Sequence, residues 1–421
     1  MNIKINKILF TAVAFTLVVA GCKKDTFDHQ MYEPSVAEID SVYFSPGADK
    51  LVADGQAKLK FVVEAFRKIS KETPSGRKDT LVKIDHRLLP KGSVQILMNG
   101  QPYDKMEYST TTYSPTNLTF SAKIGKATSK PFEVALRQKQ VLLQKVNVDV
   151  VFHVFELKNT DPAYDHLTYQ NVTQDLLEKA IEDMNNVFNN VYGDNPNGGN
   201  ANIHFRLAEK NAAGSKLTKP GYNMISYDKS WMKFTFFSPN DFFNKVNEIA
   251  SYTWDPKRFL NIYIIPSGAN NSMGNNTPNH QIVPSGQSPI PGITNIITNA
   301  SQLPTGTNYT VYGVGVPRTL LFPGTDRRIE LSPFIGTYYG LKRTGVASPT
   351  FEDYCDDTRL YIATNQFQEL VKTGIDGMKF LADNAMDDSR YPSLRNSFTI
   401  DQVSRIRAVM ANCPARMHGQ P

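Results

Sequence analysis

The sequence predicts a mixed α+β chain of two bodies behind a leader, and three observations predict it. Residues 36–142 form short alternating runs broken by turn residues, with little helical periodicity. From residue 143 onward, strand-like runs alternate with amphipathic helical stretches. Ahead of both, an apolar run closes on a cysteine. A length of 421 residues suits two or three domains at about 150 each. With 40% apolar, 11% aromatic and 20% charged residues the composition is that of a globular chain, which excludes wholesale disorder.

The leader comes first. Lys4 and Lys7 precede an apolar run from Ile8 to Ala20, too short to span a bilayer comfortably. Its end, Val19-Ala20-Gly21-Cys22, looks like a bacterial lipoprotein cleavage box. Residues 1–21 read as a removed signal peptide, Cys22 as the acylated first mature residue, and 22–35 as a flexible tether. Each buried methylene adds about 0.8 kcal/mol, so two or three acyl chains anchor stably. The expected location is the cell envelope, in the outer membrane, facing either the periplasm or the exterior. The chain carries 46 Lys and Arg against 40 Asp and Glu, a net charge of +6. Without Lys4 and Lys7 the balance is 44 against 40, and that excess is scattered. No basic cluster interleaves with aromatics, so no nucleic-acid partner is expected.

In 36–142 the strand-like runs include Leu59–Val63, Val94–Met98, Leu118–Ala122 and Phe132–Leu136, with Asn99-Gly100 as a hairpin turn. Regular short strands of this kind suggest an immunoglobulin-type β-sandwich. No chemistry-bearing constellation falls there, so a spacer or adhesion role is the plain expectation.

In 143–421, Val146–Phe152 reads as a strand. A helix follows, with Thr173 as N-cap, Leu177, Ile181, Met184, Phe188 and Val191 along one face, and Gly193 near its C-terminus. Asn202–Leu207 and Phe259–Ile265 are further strands. Ser238-Pro239 starts a helix that turns Phe242, Val246 and Ile249 inward. Residues 267–310 form a long Asn-, Pro-, Gly- and Ser-rich loop. Thr399-Ile400-Asp401-Gln402 fits a capping box opening a last helix, with Val403, Ile406 and Met410 inward.

This order of elements resembles the metzincin zinc proteases. Five segments narrow the likeness to the pappalysin-like group, and to its lipoprotein members with an N-terminal Ig-like domain. They are Val148–Val154, Leu260–Tyr263, Asp353-Tyr354-Cys355-Asp356-Asp357-Thr358, Asp383-Asn384-Ala385-Met386-Asp387 and Phe398–Arg407. The resemblance covers about 145–415 and implies a zincin fold, with Met386 as the Met-turn methionine.

It also implies a zinc helix of the form H-E-x-x-H-x-x-G-x-x-H, whose histidines hold the metal and whose Glu works on the metal-bound water. Gly340-Leu341 match the Gly-Leu pair of that motif. Counting outward puts Pro333 at the first His, Phe334 at the Glu, Thr337 at the second His and Arg343 at the third. All four catalytic types are replaced. Proline lacks an N–H and suits a first turn, so Ser332-Pro333 reads as a helix start. Arg343 would repel a dication. The Met-turn departs too, because Asp388 stands where the family has Tyr.

The histidines are His29, His86, His153, His166, His204, His280 and His418, and no two share the i, i+4 spacing. His153 and His204 lie in apolar strands and read as packing residues, and His280 reads as solvated. No phosphate-binding glycine loop and no G-x-S-x-G turn is present. Cys355 and Cys413 read as a disulfide pair in an oxidising compartment. Asp353, Asp356, Asp357, Asp383, Asp387 and Asp388 offer oxygen ligands to calcium or serve as caps and turns. The functional expectation is an anchored, catalytically inactive member of the protease family that binds a peptide, protein or glycan, with no cofactor. An active hydrolase built on Thr337, Tyr338 and Asp387, and a structural role led by the sandwich, are the alternatives.

Overall fold

A computed structural model of the chain describes residues 32–418 apart from 75, 162–163, 165–168, 232–237, 266–276, 304–311, 325–326 and 389–390. The leader, Cys22, His29 and His166 lie outside the described residues. Among those described, no helix is long and apolar enough to cross a membrane.

The N-terminal body is two facing sheets over one apolar core. One sheet has the order β1 (Ser41–Ser45), β4 (Val62–Thr73), β5 (Gly76–Ile84). The other runs β2 (Lys50–Val52), β11 (Phe132–Arg137), β9 (Leu118–Ile124), β6 (Val94–Met98), β7 (Gln101–Tyr103), with β10 (Ala127–Thr128) beside β9. Two short strands, β3 (Leu59–Lys60) and β8 (Glu107–Tyr108), pair alongside. Phe44, Val63 and Ala65 from the first sheet meet Leu51, Ile96, Phe120 and Val134 from the second. Asn99 and Gly100 both take positive φ, 50° and 78°, as the β6–β7 hairpin turn requires.

The second body is built on a parallel sheet. Its strand order is β14 (Ile203–Leu207), β12 (Val146–Glu156), β16 (Phe259–Ile265), β19 (Gly313–Pro317). β15 (Tyr222–Ser226) follows β14 along the same edge of β12. A short parallel pair, β17 (His280–Gln281) and β18 (Asn295–Ile296), lies in the long loop. Among the described residues four helices pack around this frame: α1 (Gln174–Phe188), α2 (Pro239–Glu248), α3 (Ser332–Tyr338) and α4 (Ile400–Asn412). Strands near-continuously apolar and buried on both faces are what a parallel sheet demands, and every residue of β16 is buried.

The caps fall where side-chain chemistry puts them. Thr173, Ser238 and Thr399 each accept a first-turn backbone N–H, and Thr399 with Gln402 completes the capping box. α1 ends earlier than its periodicity suggests. Asn190 adopts φ 51°, its N–H donates to the Val187 carbonyl, and the Val191 N–H donates to that of Asn186. That Schellman stop uses Asn in place of Gly, so Val191 is exposed and Gly193 belongs to the following turn. Ile249 likewise ends up as the C-cap of α2 and not on its buried face.

The sandwich is not a free spacer. The Lys60 ammonium reaches across to Asp383 (3.2 Å) and Asp194 (2.8 Å). Arg137 pairs with Asp357 (2.6 Å) and Asp401 (3.0 Å), and Lys379 pairs with Glu64 (2.5 Å). Ser45 donates to the Lys379 carbonyl, and Ile400 packs on the sandwich core. Burial pushes the Asp383 carboxyl up and Lys60 holds it down. Removing one partner of such a buried pair strands the other. Lys60→Met should lower stability at pH 8 by about 3 kcal/mol, and by less as the pH falls, because the stranded Asp383 carboxyl, already raised by burial, can take up a proton. Adding Asp383→Asn should recover most of the loss, read by urea denaturation.

Candidate functional site

The segment 329–343 is where the sequence resemblance would place catalytic chemistry. Pro333 lies in the first turn of α3, where its missing N–H costs nothing. The helix begins there, as Ser332-Pro333 predicts, and lasts only 7 residues. It closes on a second Schellman motif: Leu341 N–H donates to Gly336 O and Gly340 N–H to Thr337 O, both at 2.9 Å. Gly340 sits at φ 88°, and a Cβ there would lie 2.8 Å from Val409. The glycine is therefore fixed by the turn and by close packing against α4. Arg405 of α4 donates to the Gly340 carbonyl (2.7 Å) and to that of Pro291 (2.8 Å), joining helix, turn and loop.

Met386 lies directly beneath. A Cβ on Gly336 would come 2.9 Å from its sulfur, so only glycine lets helix and turn approach. The turn itself is knit by polar groups. Asn384 Oδ1 accepts from Met386 N–H (2.8 Å), and Asn384 Nδ2 donates to Gln402 (2.7 Å). Asp387 accepts from Asn384 N–H (2.9 Å) and from the Thr344 hydroxyl. Burial pushes the Asp387 carboxyl up to about 7.

The four motif positions supply no ligand set for a dication. Pro333 offers no donor atom, Phe334 packs its ring against the main core, and Thr337 spends its hydroxyl on the Pro333 carbonyl (2.9 Å). Arg343 brings a cation. Thr337, Tyr338 and Asp387 do not converge either, since the Tyr338 hydroxyl donates to the Ala415 carbonyl (3.0 Å) on the far side of the helix. Among the described residues no group of three or more His, Cys, Asp or Glu could hold a metal ion.

Several expectations need correction. Cys355 and Cys413 are buried free thiols and no bond joins them. An even count and an oxidising compartment fix no geometry, and a bond needs Cα atoms within roughly 4.4–6.8 Å. Cys413 caps α4 and belongs to the main core, whereas Cys355 sits in a turn tied by Asp353 and Thr358. Burial pushes both thiols up, Cys413 to about 11, so both stay protonated. The carboxylates proposed for calcium are spent separately: Asp353 on Thr358, Asp357 on Arg137, Asp383 on Lys60 and Asn195, with Asp356 and Asp388 exposed. His204 is exposed, not packed, and His280 is half-buried. His153 is fully buried as expected. Its ring accepts from Asn223 Nδ2 (2.9 Å) and donates to Asn261 Oδ1 (2.9 Å), and burial pulls it down to about 4.

Two features have no signal in the sequence. The tail residues Arg416 and His418 are fully buried, with the Arg416 guanidinium 3.9 Å from the Tyr338 ring centroid. Glu330, Arg343 and Arg395 form a half-buried charged group above the Met386 turn. Arg395 Nη2 lies 3.5 Å from Glu330, whose carboxyl burial pushes up to about 7 against the pull of Arg395, Arg328 and Arg343. Burial first, then the Arg395 charge, pull Arg343 below the usual guanidinium range.

A search of solved structures finds mature mirolysin of Tannerella forsythia in complex with a cleaved peptide, at 19% identity and TM-score 0.43, covering 65% of this chain and 96% of that one. It also finds a promirolysin variant from the same organism, at 16% identity and TM-score 0.41, covering 65% and 83%. Mirolysin in complex with a compound matches at 16% identity and TM-score 0.41, covering 64% and 92%. Below a TM-score of 0.5 this is a likeness of outline and decides nothing about the site. No family model matches the sequence, and no curated protein matches it.

An acid whose folded pKa is raised keeps its proton longer folded than unfolded. For Asp387 and Glu330, both raised to about 7 from near 4, the folded state therefore holds extra protons between about pH 4 and 7. Stability should fall as pH rises through that window, by up to about 1.4 kcal/mol per pH unit for each group, and level off above it. Asp387→Asn keeps one acceptor for Asn384 N–H and donates to Thr344. It should flatten the slope of Tm between pH 5 and 7.5 and raise Tm at pH 8.

Proposed function

We propose that the chain is an envelope lipoprotein anchored through an acylated Cys22, whose second body is a metzincin-like domain that binds a partner and does not cut it. The N-terminal body is then an immunoglobulin-type sandwich that braces this domain. The observation that carries the reading is a contrast within eleven consecutive residues of the motif, 333–343. Gly336 and Gly340 retain the close approach to Met386 and α4. Pro333, Phe334, Thr337 and Arg343 occupy the places where ligands and base would act. A zinc-bound water needs three protein ligands and an open fourth position, and this set offers neither imidazole nor carboxylate. Zinc does not fit these residues, so no catalytic step is drawn through it. The partner class is a peptide, protein or glycan laid along the 329–343 segment and the long loop.

The test is proteolysis. Purified full chain incubated with denatured casein and a mixed peptide library, with and without added zinc, should leave both uncut by mass spectrometry. Cleavage abolished by a chelator would overturn the reading.

A further inference from the structure

Arg343 makes no hydrogen bond or ion pair with any described residue, although it is mostly withdrawn from solvent. Beside it, Arg395 has a buried Nε–H with no partner. Its other donors are poorly used: Nη1 reaches the Asp387 carbonyl at 3.4 Å, and Nη2 stands 3.5 Å from Glu330. Two guanidinium groups within each other's field, one of them with a buried donor unspent, draw an anion that can join them. The groups facing this pair are Glu330, Arg328, Asp387, Asp388 and Tyr361. Asp387 is spent on Thr344 and Asn384, and Arg328 donates to the Ser393 carbonyl (2.6 Å). Glu330 and the exposed Asp388 are the carboxylates left to three arginines, which leaves room for about one more negative charge.

We propose that Arg343 and Arg395 form a clamp for one carboxylate of a bound peptide, so that the third ligand position of the ancestral motif has become an anion receptor. A guanidinium fork matches a planar carboxylate by paired N–H donors, which a lysine cannot reproduce. The carboxylate comes from a peptide C-terminus or from an acidic side chain. A dianion such as sulfate would exceed the charge available. This inference rests on the binding reading above but is read by affinity, so it stands or falls whether or not a peptide is cut.

The test titrates the full chain with N-acetyl-tetra-alanine as free acid and as amide, N-acetyl-tetraglutamate amide, N-acetyl-tetralysine amide and sodium sulfate, by calorimetry. Binding of the free acid identifies a C-terminal carboxylate and binding of tetraglutamate a side chain, and either supports the clamp. Arg343→Gln and Arg395→Gln should each weaken that binding at least tenfold, and Arg343→Lys should restore only part of it. Because Arg343 makes no hydrogen bond or ion pair with any described residue, Arg343→Gln should leave Tm nearly unchanged, which separates lost binding from lost fold. Carboxylate binding undiminished in Arg343→Gln, equal binding of the neutral amide, tighter binding of sulfate, or no binding of any carboxylate probe would overturn the proposal.

Discussion

The contact between Gly336 and the Met386 sulfur is the constraint on which the second body is arranged. A helix can lie that close to a turn only where the helix carries no side chain. The turn must in turn be rigid, and buried polar groups make it so: Asn384 to Gln402, Asp387 to Thr344, Asp383 to Lys60. Each bond reaches a different element, so one five-residue stretch ties α3, α4, the segment after α3 and the N-terminal sandwich together. Such a network is costly if half-satisfied, and here Lys60 offsets the Asp383 charge while burial raises Asp387 to about 7, so that it can carry a proton near neutrality.

Set against the zinc motif that the sequence resembles, what sits on this frame is opposite in sign. A metal pocket gathers neutral imidazoles and carboxylates around a dication. The same positions here hold an imino acid, an apolar ring, a hydroxyl turned back to its own helix, and an arginine. Phe334 packs half-buried on the main core, Thr337 turns its hydroxyl back to its own helix, and Pro333 sets the helix start. Arg343, next to Arg395, makes no hydrogen bond or ion pair among the described residues. Structure has absorbed three of the four positions and left one side chain available to something outside the chain.

Much of the frame was legible in the sequence. Strands such as Val94–Met98 and Phe259–Ile265, the caps Thr173, Ser238 and Thr399, and the start of α3 follow from periodicity and capping chemistry that act within a few residues. The failures share a cause in long-range placement. Asn190 could stop α1 because asparagine tolerates the left-handed region, a role that the periodicity had assigned to a glycine further on. Cys355 and Cys413 matched in number and not in space. His204 alternates outward on β14, at the edge of the sheet. Nothing local to Lys60, Arg395, Arg416 or His418 shows in the sequence that a distant segment will cover or pair with them. The candidate site was half readable: the replaced ligands are plain in one motif, whereas the arginine pair joins residues 343 and 395 only through the fold.

The metal content of the full chain, measured by mass spectrometry after equilibration with zinc and gel filtration, probes this account most directly. Side chains that cannot hold a dication at 333, 334, 337 and 343 predict no retained stoichiometric zinc. One zinc per chain that survives filtration, lost when Met386 or its neighbours are replaced, would contradict it.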